Sequence, residues 1–185
     1  MRINAVIQAR TGSARLPGKV LEDLGGRPVL EWVVRAARAA TKVDEVIVAT
    51  STLVGDDAVA DLATSLGVRV VRGSEDDVLS RFVAALDAHP ADAVVRLTAD
   101  CPLLDPTLID AVAGAWAAAP TLDYVSTVLV RSLPRGMCIG LVAARAPRPV
   151  PGTAVGSRPS TPPSAVPPRP PPRPPLCFPP HPPAH

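Results

Sequence analysis

The sequence predicts an α/β protein: a Rossmann-like, mainly parallel sheet with helices on both faces, left incomplete and followed by a disordered proline-rich tail. Two observations carry that reading. Five short Val/Ile-rich runs alternate with stretches whose apolar residues recur at the helical period, the pattern of strand–helix–strand crossovers. Turn and cap residues punctuate the alternation until about residue 145, after which it gives way to proline.

The strands are expected at Ile3 to Gln8, Glu45 to Thr50, Val68 to Arg72, Ala93 to Thr98 and Asp123 to Thr127, each bounded by polar turns. Leu30, Val33, Val34 and Ala37 mark the buried stripe of the first helix. Val59, Leu62, Ala63 and Leu66 mark the second, with Gly67 placed to stop it. Ser74, with Asp77 three residues on, announces the third as an acidic variant of the capping box, ahead of Val78, Leu79, Phe82, Val83 and Leu86. Asp105 is the expected N-cap of the fourth, with Pro106 at its first position and Ile109, Val112 and Trp116 along its apolar face. The Trp and Phe residues fall on these stripes and are assigned to the core.

Charge divides the chain in the same place. All 17 acidic residues precede Ala146, against 15 Lys plus Arg, so the body carries a net −2 while the tail carries four Arg and no acid. The basic balance of the whole chain is therefore a property of the tail and argues for no nucleic-acid partner of the body. Of the 24 prolines, 17 follow Ala146, and that density favours extended polyproline II over helix or sheet. The tail is expected to be a non-native or degenerate segment, such as a shifted reading frame would produce, rather than a ligand for SH3-type domains. No apolar run reaches the ~18 residues of a membrane span, and Met1 to Arg10 is not a signal peptide. Cys101, Cys138 and Cys177 are too widely spaced for a zinc site or a disulfide framework, so no membrane association and a cytoplasmic location are expected.

Between Ala9 and Lys19 the chain reads A-R-T-G-S-A-R-L-P-G-K, directly after the first strand. Arg10, Arg15 and Lys19 can neutralise phosphate, Ser13 can hydrogen-bond it, and Gly12 and Gly18 let backbone N–H groups approach. The spacing excludes two common phosphate loops. Five residues separate Gly12 from Gly18 and Val20 follows Lys19, which breaks the Walker A pattern. No third glycine completes a dinucleotide fingerprint. In an open parallel sheet, ligands bind beyond the carboxyl ends of the strands, so Thr50 and Ser51, Arg72 to Ser74, and Thr98 to Pro102 belong to the same edge as this loop. Asp100 stands out among them: a carboxylate facing a phosphate chain implies a divalent cation between them, and magnesium (Mg2+) suits that role. Cys101 is expected to be a small neighbour with no base beside it, and His89, before Pro90, to cap a helix rather than catalyse.

Taken in order, I-Q-A-R-T-G-S-A-R-L-P-G-K-V-L (Ile7 to Leu21), D-L-G-G-R-P-V-L-E (Asp23 to Glu31), R-G-S-E-D-D-V-L (Arg72 to Leu79), R-L-T-A-D-C-P-L-L-D-P (Arg96 to Pro106) and D-Y-V-S-T (Asp123 to Thr127) resemble the sugar cytidylyltransferases. That family includes the acylneuraminate and 3-deoxy-manno-octulosonate enzymes and a spore-coat polysaccharide branch. The resemblance spans Met1 to about Gly136 and implies a nucleotide-diphospho-sugar transferase type of fold, with residues 1–145 a partial nucleotidyltransferase domain and 146–185 the tail. It implies that Arg10, Ser13, Arg15 and Lys19 hold the CTP triphosphate, with Ala9 and Gly12 among the nucleotide-binding residues. Thr50, Ser51 and Arg72 would lie near the nucleotide, Asp100 would bind Mg2+, and Arg10, Lys19 and Asp100 would act in catalysis. The implied reaction is attack by a sugar hydroxyl on the α-phosphorus of CTP, releasing pyrophosphate. Other readings of the residues stay open: a non-catalytic nucleotide-binding module, or a nucleotidyltransferase using UTP or GTP. After Pro134 to Gly136 the family continues with an acidic segment, whereas Cys138 and Gly140 stand here. A truncated enzyme of impaired turnover is therefore expected, lacking most of the sugar pocket and the elements that make the family homodimeric.

Overall fold

The run Ile3–Gln8 forms strand β1, and with five of its six residues buried it takes an interior position in a six-stranded sheet. This computed structural model describes residues 1–13, 16–128, 134 and 136–145; Arg15 and the proline-rich segment 146–185 lie outside the described residues. The other strands are β2 (Glu45–Ser51), β3 (Arg69–Gly73), β4 (Ala93–Thr98), β5 (Tyr124–Ser126) and β6 (Gly140–Ala143). Their spatial order is β3-β2-β1-β4-β6-β5. β1 pairs in parallel with β2 and β4, and β2 with β3, as crossovers through helices require. β6 runs antiparallel to both β4 and β5.

Four helices, α1 (Val29–Ala39), α2 (Asp57–Ser65), α3 (Val78–Ala88) and α4 (Pro106–Ala118), make the crossovers, with a 3-10 turn at Val54–Asp56 leading into α2. The two-residue period of each strand sorts its side chains between two cores. Ala5 and Ile7, Val46 and Val48, and Val95 and Leu97 meet Leu30 and Val33 of α1, Val59 and Ala63 of α2, and Ile109 and Trp116 of α4. The alternate residues Val6, Ile47, Ala49 and Val94 meet Ala85, Phe82 and Leu86 of α3. Three helices thus cover one face. On the other, α3 packs over β1, β2 and β3, and no described helix covers β6 or β5.

The fold class and the predicted elements stand, with ends shifted by a residue or so. Gly67 takes φ 69° after α2, as a helix stop should. Asp105 caps α4 by accepting the Thr107 N–H at 2.8 Å. Three details differ. The cap of α3 is Asp77, which accepts the Ser80 N–H at 3.0 Å, while Ser74 accepts from the Asp77 N–H at 3.2 Å one turn earlier. Trp32 is not a core residue: it is half-buried, donates to the Leu24 carbonyl at 2.7 Å and carries the Arg27 guanidinium over its ring. Strand β6 has no counterpart among the predicted elements, because its four residues gain their strand character only from pairing with β4 and β5. Of the other assigned aromatics, Trp116 is buried in the larger core and Phe82 packs against the smaller; Phe178 lies outside the described residues. No described helix is long and apolar enough to cross a membrane.

The α4 face supplies a direct stability test. Ile109 is fully buried and Leu103, six residues away, is 75% exposed. Ile109→Ala is expected to lower the urea midpoint by an amount equivalent to about 2–5 kcal/mol, and Leu103→Ala to leave it nearly unmoved. Equal effects from the two would show that α4 is not seated as described.

Candidate functional site

The chain leaves β1 toward β2 on one side and, after β3, returns to β4 on the other. The loops following β1 and β4 therefore diverge, and a crevice opens between two neighbouring strand ends, the usual place for a ligand in such sheets. A cleft of about 340 Å³ lies there. One wall is Gln8, Arg10, Gly12, Ser13, Lys19 and Val20; the other is Arg96, Thr98, Ala99 and Asp100.

The β1 loop is held from below. Gly18 adopts φ 71°, a conformation costly for other residues, which lets its N–H reach the Thr11 carbonyl at 2.9 Å and closes the loop on itself. Thr11 is in turn bound by Asp56, whose Oδ1 accepts from the Thr11 N–H and Oγ1, each at 2.7 Å. Asp56 Oδ2 accepts from the Ser51 hydroxyl and from the Ser51 N–H at 3.3 Å. This carboxylate is 2% exposed. Burial by itself pushes its pKa up, but the hydrogen bonds from Ser51 and Thr11 outweigh burial and hold it below 3.8, the ordinary value. A buried anion thus fastens the end of β1 to the end of β2.

The cleft's charges are arranged in pairs. Lys19 donates to Asp100 across the crevice. Burial raises the Asp100 pKa, and the Lys19 hydrogen bond and charge bring it down below the ordinary value. Arg10 lies 3.9 Å from Glu75, and a Cβ on Gly12 would stand 2.7 Å from the same carboxylate, so the loop and the turn after β3 are closely fitted. Arg81 supports that turn. Its Nη1 donates to the Ser74 carbonyl and, at 2.9 Å, to the Glu75 carbonyl, from a wholly buried position in which Nε and Nη2 have no partner. Burial lowers the Arg81 pKa and Arg10 adds repulsion, while Asp56, Asp77 and Glu75 oppose the shift. Arg96 donates to the Gln8 side-chain oxygen at 3.3 Å, its one hydrogen bond from the side chain among the described residues.

Arg10, Gly12, Ser13, Lys19 and Asp100, all singled out from sequence, converge on the cleft. Ala9 is buried and donates to the Ala49 carbonyl at 3.0 Å. Thr50 and Ser51 are buried at the end of β2 and do not line the cleft; Ser51 serves Asp56, and the Thr50 hydroxyl has no partner. Arg72 braces the β2 loop, donating to the Ser51 carbonyl at 2.8 Å, the Leu53 carbonyl at 3.0 Å and Asp57 at 2.7 Å. Arg15 and Cys177 lie outside the described residues. Cys101 sits 3.0 Å from the Thr98 hydroxyl, its thiol pKa raised by burial, and the His89 N–H ends α3 on the Ala85 carbonyl. Sequence reasoning passed over Asp56, Arg81 and Arg96. Asp56 shares a loop with Asp57 and nothing local says which one is buried; Arg81 sits on an apolar helical stripe, where a cation is itself a signal.

A family model described as Cytidylyltransferase matches residues 4–133. The chain is 38% identical over 143 residues to the spore coat polysaccharide biosynthesis protein SpsF of Bacillus subtilis, covering 75% of this chain and 58% of that one. It is 38% identical over 128 residues to a 3-deoxy-manno-octulosonate cytidylyltransferase of Bdellovibrio bacteriovorus, covering 68% of this chain and 50% of that one. Among solved structures it resembles CMP:2-keto-3-deoxy-manno-octonic acid synthetase complexed with CTP, with TM-score 0.61 and 28% identity over 68% of this chain and 52% of that chain. The chain spans about half the length of the curated relatives it matches.

The Asp56 network has a pH signature. Its folded pKa is depressed, so its contribution to stability is present above the ordinary carboxylate value and is lost as pH falls through the folded pKa. Asp56→Asn is therefore expected to melt below wild type at pH 7, with the gap closing as pH drops below about 4. A gap that stays constant down to pH 2 would remove the charge from this account.

Proposed function

The chain belongs to the cytidylyltransferase family, and from that premise we propose that it binds CTP in the β1–β4 cleft and transfers the cytidylyl group to a sugar hydroxyl. The product class is an activated sugar acid for surface or spore-coat polysaccharide, in keeping with the relatives' names. The observation that carries the proposal is the meeting of Arg10 and Lys19 with Asp100 across the switch-point crevice.

The triphosphate lies along the β1 loop. Arg10 and Lys19 neutralise its charge, and Ser13 and the backbone around Gly12 supply hydrogen bonds. The sugar oxygen attacks the α-phosphorus as the bond to the bridging oxygen breaks and pyrophosphate leaves, chemistry that depends on alignment and charge stabilisation more than on covalent help. Among the described residues no three His, Cys, Asp or Glu side chains are grouped to cage a metal. Asp100 is thus a single carboxylate facing a phosphate site, which fits the habit of Mg2+, bound by one or two carboxylates with substrate phosphates. When bound there, the ion would offset the charge on the phosphates. Lys19, released from Asp100, then turns to the triphosphate.

Calorimetric titration tests this reading. CTP with Mg2+ is expected to bind more tightly than UTP, GTP or ATP, and Lys19→Met to weaken CTP about 10–100-fold, the scale of one lost charge-assisted contact. Asp100→Asn is expected to abolish the gain from Mg2+ while sparing metal-free CTP binding, because it removes a negative charge from the phosphate's surroundings. Failure of wild type to bind any nucleotide would defeat the proposal; equal binding of all four would leave phosphate recognition without base choice. Release of pyrophosphate from CTP in the presence of a sugar acid distinguishes catalysis from binding.

A further inference from the structure

Three cations from the described residues line the cleft, and two of them face carboxylates: Lys19 faces Asp100 and Arg10 faces Glu75. Arg96 faces none. Its contact is the neutral amide of Gln8, and its side chain is exposed. A guanidinium that lines a cleft without a counter-charge is suited to an incoming oxyanion, which it can grip with two parallel hydrogen bonds.

The position of Arg96 says which part of the cleft it serves. It lies two residues after Val94, on the α3 side of the sheet, at the boundary where helical cover ends. Its paired residue on β6 is Gly140, and the space above Gly140 is filled by the ring of Tyr124, whose Oη and Cε2 lie 2.9 and 3.2 Å from where a Cβ would be. Tyr124 is 45% exposed and Val142, on the same face, 40%. Moving away from the β1 loop, the sheet face that carries Arg96 therefore continues beyond the cleft's lining to the half-exposed ring of Tyr124. An apolar ring with a polar tip is suited to the mixed surface of a sugar, stacking on C–H groups while its hydroxyl joins the ring hydroxyls.

We infer that Arg96 and Tyr124 form the acceptor subsite, which takes a sugar bearing an oxyanion, with Arg96 gripping the oxyanion and Tyr124 stacking on the ring. The inference rests on the nucleotide lying along the β1 loop, which leaves the β4–β6 side for the second substrate. Arg96 then selects anionic over neutral acceptors. The oxyanion is a carboxylate or a phosphate, the two groups a guanidinium reads alike.

Calorimetry on the full chain, with CTP and Mg2+ present, separates the alternatives. The probes are 3-deoxy-manno-octulosonate and N-acetylneuraminate for carboxylates, mannose 6-phosphate for phosphate, and mannose as the neutral control. At least one anionic sugar is expected to bind about 10-fold or more tightly than mannose, and Arg96→Gln to erase that preference, about the worth of one charge-assisted pair. Arg96→Lys should restore part of it. Tyr124→Ser should weaken every sugar to a similar degree and keep the preference. The affinity of CTP should stay within about 3-fold of wild type in all three variants, since a merely structural role would disturb it as well. The inference is overturned if Arg96→Gln binds the anionic sugars as wild type does, if no anionic sugar outbinds mannose, or if the variant loses CTP affinity instead, which would give Arg96 to the triphosphate. Absence of CTP binding to wild type is a separate failure, that of the nucleotide reading, and the sugar titrations repeated without CTP would still report on Arg96.

Discussion

Parallel pairing of β1 with a neighbour on each side constrains everything that follows. With β2 on one edge and β4 on the other, and with apolar side chains in contact with both cores, β1 has no freedom to shift register without exposing a buried set. The loop that leaves it must therefore begin at a fixed point beside the end of β4. Arg10, Lys19 and Asp100 belong to loops, yet their origins are set by the β1–β4 pairing in the interior of the sheet. The scaffold supplies rigidity and the loops supply charge.

Two kinds of electrostatic interaction divide the work. Asp56 is out of water and fully engaged by hydrogen-bond donors from Thr11 and Ser51, so exchanging its partners would leave a buried charge uncompensated. The Lys19–Asp100 pair is partly exposed, and such a pair holds two side chains in place at little net gain. It can part when a stronger counter-charge arrives. The firm interaction lies beneath the loop and the exchangeable one faces the cleft, an order that lets a ligand rearrange the surface without loosening the frame.

Much of this was legible from the residues because it depends on local pattern. The four parallel strands β1 to β4 and the four helices follow from runs and caps that need no knowledge of the partner. The convergence of Arg10, Lys19 and Asp100 follows from the rule that strand ends in a parallel sheet share an edge. What escaped depends on distant contacts. The residues of β6 pair with residues 14 to 18 positions earlier in β5 and 44 to 50 positions earlier in β4. Arg72 is a cation at a strand end like those of the loop, but it is consumed by Ser51, Leu53 and Asp57. In the sequence Arg96 is one letter of a motif; that no described carboxylate faces it becomes visible only when its neighbours are in place.

Gly140 and Tyr124 occupy one volume between them, the hydrogen of the first making room for the ring of the second. Any larger side chain at position 140 would need that space, so a change there is coupled to Tyr124. Grafting a carboxylate onto residue 140 alone would evict the aromatic ring before the new charge could act. An engineer introducing a charge at this corner has to treat the pair as a single site with two addresses in the chain.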